Sequence, residues 1–184
     1  MRQSVSARAV TTVLVSAALF SGLAMTPAVA VPSRAGHAKA CTLITAAEAS
    51  KILGAKAHKT HEINKATPHG KVMLLNRGCT YKSAKGTFGF TANVYASVKI
   101  AKIFYAHARS ATAGSPQVKV KKDRTIAGCP AFVRVYYIKG APKPWMDQIE
   151  VRKGAVLFVT NISPAKNDKG AMAVAAAKHA VPRM

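Results

Sequence analysis

The chain has 184 residues, of which 28 are Lys or Arg and 6 are Asp or Glu, a formal charge of +22. So large a surplus of cations draws polyanions and leaves few carboxylates for acid–base chemistry. The length suits one domain with a sizeable core.

Arg2 and Arg8 form a positive n-region, and Val10 to Met25 is an apolar run. Ala28-Val29-Ala30, after Pro27, is a small-x-small cleavage site. The run holds 16 residues, short of the roughly 20 that cross a bilayer. Residues 1–30 are therefore expected to be a signal peptide. Arg2 and Arg8 are not adjacent, which favours the Sec route over a twin-arginine route. The mature chain would carry +20, with no transmembrane segment, and would be secreted, extracellular or cell-wall associated. Residues 31–40 (VPSRAGHAKA) read as a flexible lead-in, and 41–184 as a single domain.

Thr45 and Glu48 have the spacing of a capping box, so a helix is predicted over 45–53, closed by Gly54. Residues 55–63 (AKAHKTHEI) suit a polar edge strand, whose lysines and histidines discourage edge-to-edge pairing. A loop at 64–70 and strands at 71–75 and 77–83 follow. After a turn at 84–86, the strand at 87–96 alternates, with Phe88, Phe90, Ala92 and Val94 on one face. At 99–111 the period becomes helical, with Ile100, Ile103, Phe104 and Ala108 as its apolar stripe. Residues 117–121 alternate again, with Val118 and Val120 inward. Residues 124–130 read as turn, 131–139 as strand and 140–144 as a Pro-rich loop.

The stretch from Trp145 to Ile162 reads as a hairpin turning at Arg152-Lys153-Gly154. Pairing Val151 with Ala155 puts Ile149, Val151, Ala155 and Leu157 on the core face. Val156 and Phe158 then join Gln148 and Glu150 on the other. Asn167 or Asp168 caps a last Ala-rich helix that reaches about Val181. The order helix–strands–helix–strands–helix, with short connections, predicts an α+β fold: a single antiparallel sheet with helices packed on it and lysines on its exposed rows.

Cys41 precedes the first helix, Cys79 lies in a strand, and Cys129 follows Gly128. A Cys41–Cys79 bond would tie the helix entry to the sheet. Cys129 could instead partner either one, since spacing does not fix connectivity. As a nucleophile Cys129 would need a base beside it; next to Pro130 in a turn, it reads better as a packed thiol.

Cys41-Thr42-Leu43-Ile44-Thr45, a helix ending Leu53-Gly54, and Gly78-Cys79-Thr80-Tyr81 carry a resemblance. With Ile126-Ala127-Gly128 and Val151-Arg152-Lys153-Gly154, they resemble an actinobacterial family of small secreted proteins and lipoproteins with a domain of unknown function. That resemblance implies a Cys41–Cys79 disulfide, an α+β domain and an envelope location, and it implies no known catalysis. The chain departs from the family pattern twice. His37-Ala38-Lys39-Ala40 before Cys41 is not a lipobox, which favours free secretion, and Cys129 stands where a small or acidic residue is expected.

His58, His61, Glu62 and His69 fall close together, but His-x-x-His on a regular strand points the two rings to opposite faces, poor geometry for a metal. Asp147 and Glu150 are likewise set on opposite faces, so they make no acid–base pair. Glu48 and Asp168 are taken as caps. No nucleophile elbow, P-loop or dinucleotide fingerprint is present. The chain is therefore read as no enzyme, with no cofactor and no metal site. Lys119, Lys121, Lys122 and Arg124 form the densest basic run. With Tyr136, Tyr137 and Trp145 they are the candidate polyanion site. The expected function is a secreted, non-enzymatic module that associates with anionic cell-wall polymers or lipid headgroups and binds nucleic acid non-specifically. The alternative is a ligand-binding or enzyme-modulating protein with a pocket between sheet and helix.

Overall fold

The computed structural model describes residues 39–66, 72–111, 117–120, 123–166 and 170–184. After a 3-10 turn at Ala40–Thr42 come α1 (Ala46–Leu53), β1 (Ala57–Ala66), β2 (Met73–Ser83), β3 (Gly86–Tyr95) and α2 (Val98–Ala111). Then follow β4 (Val118–Val120), β5 (Arg124–Ile126), β6 (Cys129–Tyr137), β7 (Pro144–Lys153), β8 (Val156–Ser163) and α3 (Ala171–Ala180). The fold is α+β, and the order of helices and strands is the predicted one.

All eight strands join one antiparallel sheet in the order β1-β2-β3-β8-β7-β6-β4, with β5 also on β6. Two three-stranded meanders, β1–β3 and β6–β8, meet along the β3–β8 ladder. There Phe88 lies opposite Ile162, and Ala92 opposite Phe158. Side chains alternate along each strand, so Phe88, Phe90, Phe158, Ile162, Ile149, Val151, Val133 and Val135 all point to one face. They form the main core with Leu53 of α1 and the alanines of α3. Ala173, Ala176, Ala177 and Ala180 are fully buried; a helix of such small residues can lie close to the sheet. At its start Gly170 holds φ +65, where an added Cβ would collide with Val133, so glycine is required there.

The opposite face has a much smaller cluster. Tyr95, Ala101 and Leu157 are buried there, with Met73, Ile100 and Tyr105 packed around them. Ala101 is the buried residue of α2. The predicted stripe is thus displaced: Ile103, placed inward by the sequence pattern, is 59 % exposed. It lies two residues, about 200°, around the helix from Ala101.

The hairpin register also differs from expectation. Val151 pairs with Phe158 and Lys153 with Val156, leaving a two-residue turn at Gly154-Ala155 with Gly154 at φ +57. Val151, expected opposite Ala155, stands opposite Phe158, a shift of three residues, and an odd shift moves every side chain of β8 to the other face. Val156 and Phe158 therefore enter the main core, and Leu157 moves to the α2 side. Elsewhere β2 is unbroken, and Arg124–Ile126, expected as turn, is a strand paired to β6. Ala40, assigned to the lead-in, is fully buried. Asn167 and Asp168, the expected caps of α3, lie outside the described residues.

The front of the chain is tied down by several contacts. A disulfide joins Cys41 to Cys79, the pairing that the resemblance implied. The Tyr81 hydroxyl donates to the carbonyls of Ile44 and Cys41. The Thr45–Glu48 capping box is complete. Arg183 then grips Glu48 with both terminal nitrogens, at 2.6 and 2.8 Å, and reaches the Leu43 carbonyl.

The disulfide spans 38 positions, which corresponds to a stabilisation of about 4 kcal/mol on the chain-entropy account. C41S/C79S should lower the unfolding free energy by that order in urea titrations, and reductant should do the same to the wild type but nothing to the variant.

Candidate anion-binding site

The basic run does not fold into one cluster. Lys119 sits opposite Val135 at one end of β6, and Arg124 opposite Ala131 toward the other, four residues or about 13 Å apart along that strand. Lys121 and Lys122 lie outside the described residues. Each end of β6 has its own cavity.

At the Lys119 end, β4 is stitched to β6 by the Tyr137 amide, which donates to the Gln117 carbonyl at 2.8 Å. The chain then turns at Ile138–Ala141, with Gly140 at φ +81 and the Ala141 amide on the Ile138 carbonyl. The two features bring Lys119 and Lys139 to the rim of one cavity of about 500 Å³, lined also by Gln117, Tyr137, Ile138 and Gly140. The Lys119 Nζ stands 4.7 Å from the centre of the Tyr137 ring, a cation–π geometry that fixes the ammonium without neutralising it. Lys139 was not among the residues singled out from the sequence. It joins Lys119 only because β4 pairs with β6, a contact that the local pattern does not carry.

Arg124 lines a second cavity, about 400 Å³, between α2 and the β5–β6 edge, with Tyr105, Arg109, Asp123 and Pro130. Arg109 and Asp123 form a bidentate pair there at 2.9 Å, so much of the local charge is cancelled. Tyr136 faces away from both lysines and donates to Gln148, whose amide donates to Asn161 at 2.6 Å. Tyr137 alone of the three expected aromatic platforms has a lysine over its ring among the described contacts.

The central rows of the α2-side face are mostly uncharged. Thr80, Gly89 and Asn161 follow one another across β2, β3 and β8. The expectation of lysine rows is met at the margin by Lys82 and Lys65 of β2 and β1, and not at the centre. Glu150 points to the same side and is buried against Arg134, 2.6 Å away. Burial pushes its carboxyl up to about 7, against the pull of Arg134. Asp147 points the other way, toward the first turn of α3. Burial pushes it up to about 6, opposed by the amides of Ala173 and Met172, although neither oxygen completes a well-formed hydrogen bond. The two carboxylates thus lie on opposite faces of β7.

A bulge between Lys59 and His61 sets His58 opposite Lys82 and His61 opposite Thr80. The two histidines therefore share a face, contrary to the regular-strand expectation, because the extra residue resets the alternation. His69 lies outside the described residues, and among those described no group of three His, Cys, Asp or Glu side chains could hold a metal. Cys129 is partly buried against the main core, its Sγ 3.6 Å from the Ala127 carbonyl.

No protein-family model matches the chain, and no curated protein matches it. Among solved structures, the extracellular domain of PknH from Mycobacterium tuberculosis is similar, with a TM-score of 0.55 and 9 % identity. The match covers 79 % of this chain and 95 % of that one. Identity this low speaks for the fold alone.

The carboxylates set the dependence of stability on pH. Asp147 and Glu150 are raised in the fold, so they favour folding at low pH and oppose it as pH climbs from about 4 through 6 and 7. Glu48, held down to about 2 mainly by Arg183, contributes stability above about 4.5 that is lost as pH falls toward 2. Stability should therefore peak near pH 4–5. Relative to wild type, D147N should gain about 1–3 kcal/mol more at pH 8 than at pH 4.5, read from urea unfolding at both values.

Proposed function

We propose that this is an extracellular, non-enzymatic α+β module that associates with anionic polymers of the cell envelope. Lys119 and Lys139, which line one cavity with Tyr137, are its principal contact. The observation that carries this reading is the pairing of two cations at one open, aromatic-floored cavity in a chain with a formal charge of +22. Polyanions gain from such a surface by releasing their condensed counterions. A disulfide at the domain entry suits an oxidising compartment, as do the signal-like first thirty residues. The fold shared with a bacterial extracellular domain and the cysteine pattern of the actinobacterial family agree with an envelope location.

A second reading, a small-ligand-binding or enzyme-modulating protein, draws on the cavity between α2 and the β5–β6 edge. Its Arg109–Asp123 pair would offer both a donor fork and an acceptor to a polar ligand.

Retention on purified cell wall, measured against rising NaCl, separates the two. The polymer reading expects tight retention at low salt that falls steeply, and a log–log slope lowered by about two in K119A/K139A. Salt-independent retention, or none, removes it.

A further inference from the structure

We infer that Arg77 of β2 holds a small monocarboxylate drawn from outside the chain. The site is separate from the Lys119–Lys139 cavity, and the inference goes beyond the polymer reading. Arg77 lies two residues before Cys79 and so points to the main-core side of the sheet. Its cross-strand neighbours there are Ala92 on β3 and Asn64 on β1. It is 6 % exposed, and its Nε and Nη2 are shut off from solvent with no hydrogen-bond partner. A buried charge without a partner is strongly unfavourable, and a guanidinium cannot shed its proton to escape that state.

The described acids do not supply the partner. Glu48 is taken by Arg183, Glu62 by Lys59, Asp123 by Arg109 and Glu150 by Arg134. Asp147 faces the first turn of α3 from β7, three strands away from β2.

Arg109 shows the shape of a fitting partner. Its Nε and Nη2 each hold one carboxylate oxygen of Asp123 at 2.9 Å. Arg77 presents the same edge of its fork, which suits two oxygens on one planar group. One guanidinium balances one negative charge, so a monocarboxylate leaves no surplus, whereas sulfate would bury a second charge uncompensated. The surroundings favour an acid with an apolar body. Ala92 and then Phe158 follow Arg77 across the sheet, and the next row on the same face is Leu75, Val94 and Val156, about 7 Å along the strands. That row is only half-buried and can take an aliphatic chain. Asn64, on the outermost strand, is exposed, so the site stands one strand from the margin of the sheet.

The test is titration calorimetry of the exported protein with sodium butyrate at neutral pH and fixed ionic strength, with acetate and sulfate as comparisons. Butyrate should bind at one site, more tightly than acetate because its chain covers Leu75 and Val94, and sulfate should find no such site. R77M keeps an apolar stem and removes an unpaired charge, so it should fold at least as stably as wild type. It should bind butyrate at least about tenfold more weakly. Butyrate should also raise the urea midpoint of wild type saturably, and leave that of R77M in place. K119A/K139A should bind butyrate as wild type does. Equal butyrate binding by wild type and R77M, no binding by wild type, or sulfate bound as well as butyrate overturns the inference. Binding lost in K119A/K139A and kept in R77M overturns it too, and spares the polymer reading. Butyrate binding that depends on Arg77, in a protein that cell wall does not retain, upholds it and removes the polymer reading.

Discussion

The ladder between β3 and β8 is the contact on which the rest of the molecule depends. It joins Thr87–Val94 to Val156–Ser163, segments more than sixty residues apart in the chain, so its closure entropy must be met by burial along the seam. The side chains at the seam are suited to that. Phe88 and Phe90 of β3 approach each other at 6.0 Å, and Phe90 approaches Phe158 of β8 at 5.6 Å. Each meander alone would show water a row of aromatic and β-branched residues. Joined, they make a floor wide enough for α1 and α3 to cover.

Once that floor exists, the ends of the chain have somewhere to dock, and they dock on each other. The Cys41–Cys79 bond and the Tyr81 hydroxyl hold the entry to α1 against β2. Arg183, 135 positions after Glu48, closes over the start of the same helix. Glu48 thereby serves three partners: the Thr45 amide and hydroxyl, and the Arg183 guanidinium. A local capping residue has become a long-range clasp, and this explains why its carboxyl is held so low. α2 receives no such treatment. Its one buried residue, Ala101, packs with Tyr95 and Leu157, Tyr105 meets the Phe132 ring edge-on, and its outer side is left to solvent.

What could be read from the sequence divides along the same line between local and distant contacts. The capping box at Thr45, the alternation of Phe88, Phe90 and Ala92, and the helical period after Ser97 are short-range patterns, and they foretell α1, β3 and α2. The α+β class follows from their order. The β7–β8 register is not legible locally, because Arg152-Lys153-Gly154 and Gly154-Ala155 both offer a glycine to the turn. Only the demand of the core for both Val156 and Phe158 decides between them. The bulge at β1 and the exposure of Ile103 are likewise set by partners that the local pattern does not contain. At the candidate site, Lys119 was legible as part of a basic run. Lys139 was not, because it arrives through the turn after β6, and Arg124 was drawn in by proximity in sequence that the fold undoes.

The distribution of charge completes the account. A chain this cationic could spread lysines evenly over its wet face, yet the middle of the α2-side face carries Thr80, Gly89, Asn161 and Gln148 in place of lysines. Described cations stand at the margins: Lys59 and Lys65 on β1, Lys119 and Lys139 beside Tyr137, and Lys99 and Lys102 on α2. Repulsion among them falls off within about 8–10 Å at ordinary ionic strength, so separating them lowers the cost of carrying so many. The same separation gives the molecule discrete basic contacts of different character. One is the cavity that Tyr137 lines, with the Lys119 Nζ 4.7 Å from the ring centre, and another is α2, which carries Lys99 and Lys102 and no acidic residue. Simple electrostatic retention would not need the ring, and its contact with Lys119 is what sets the first apart from the second.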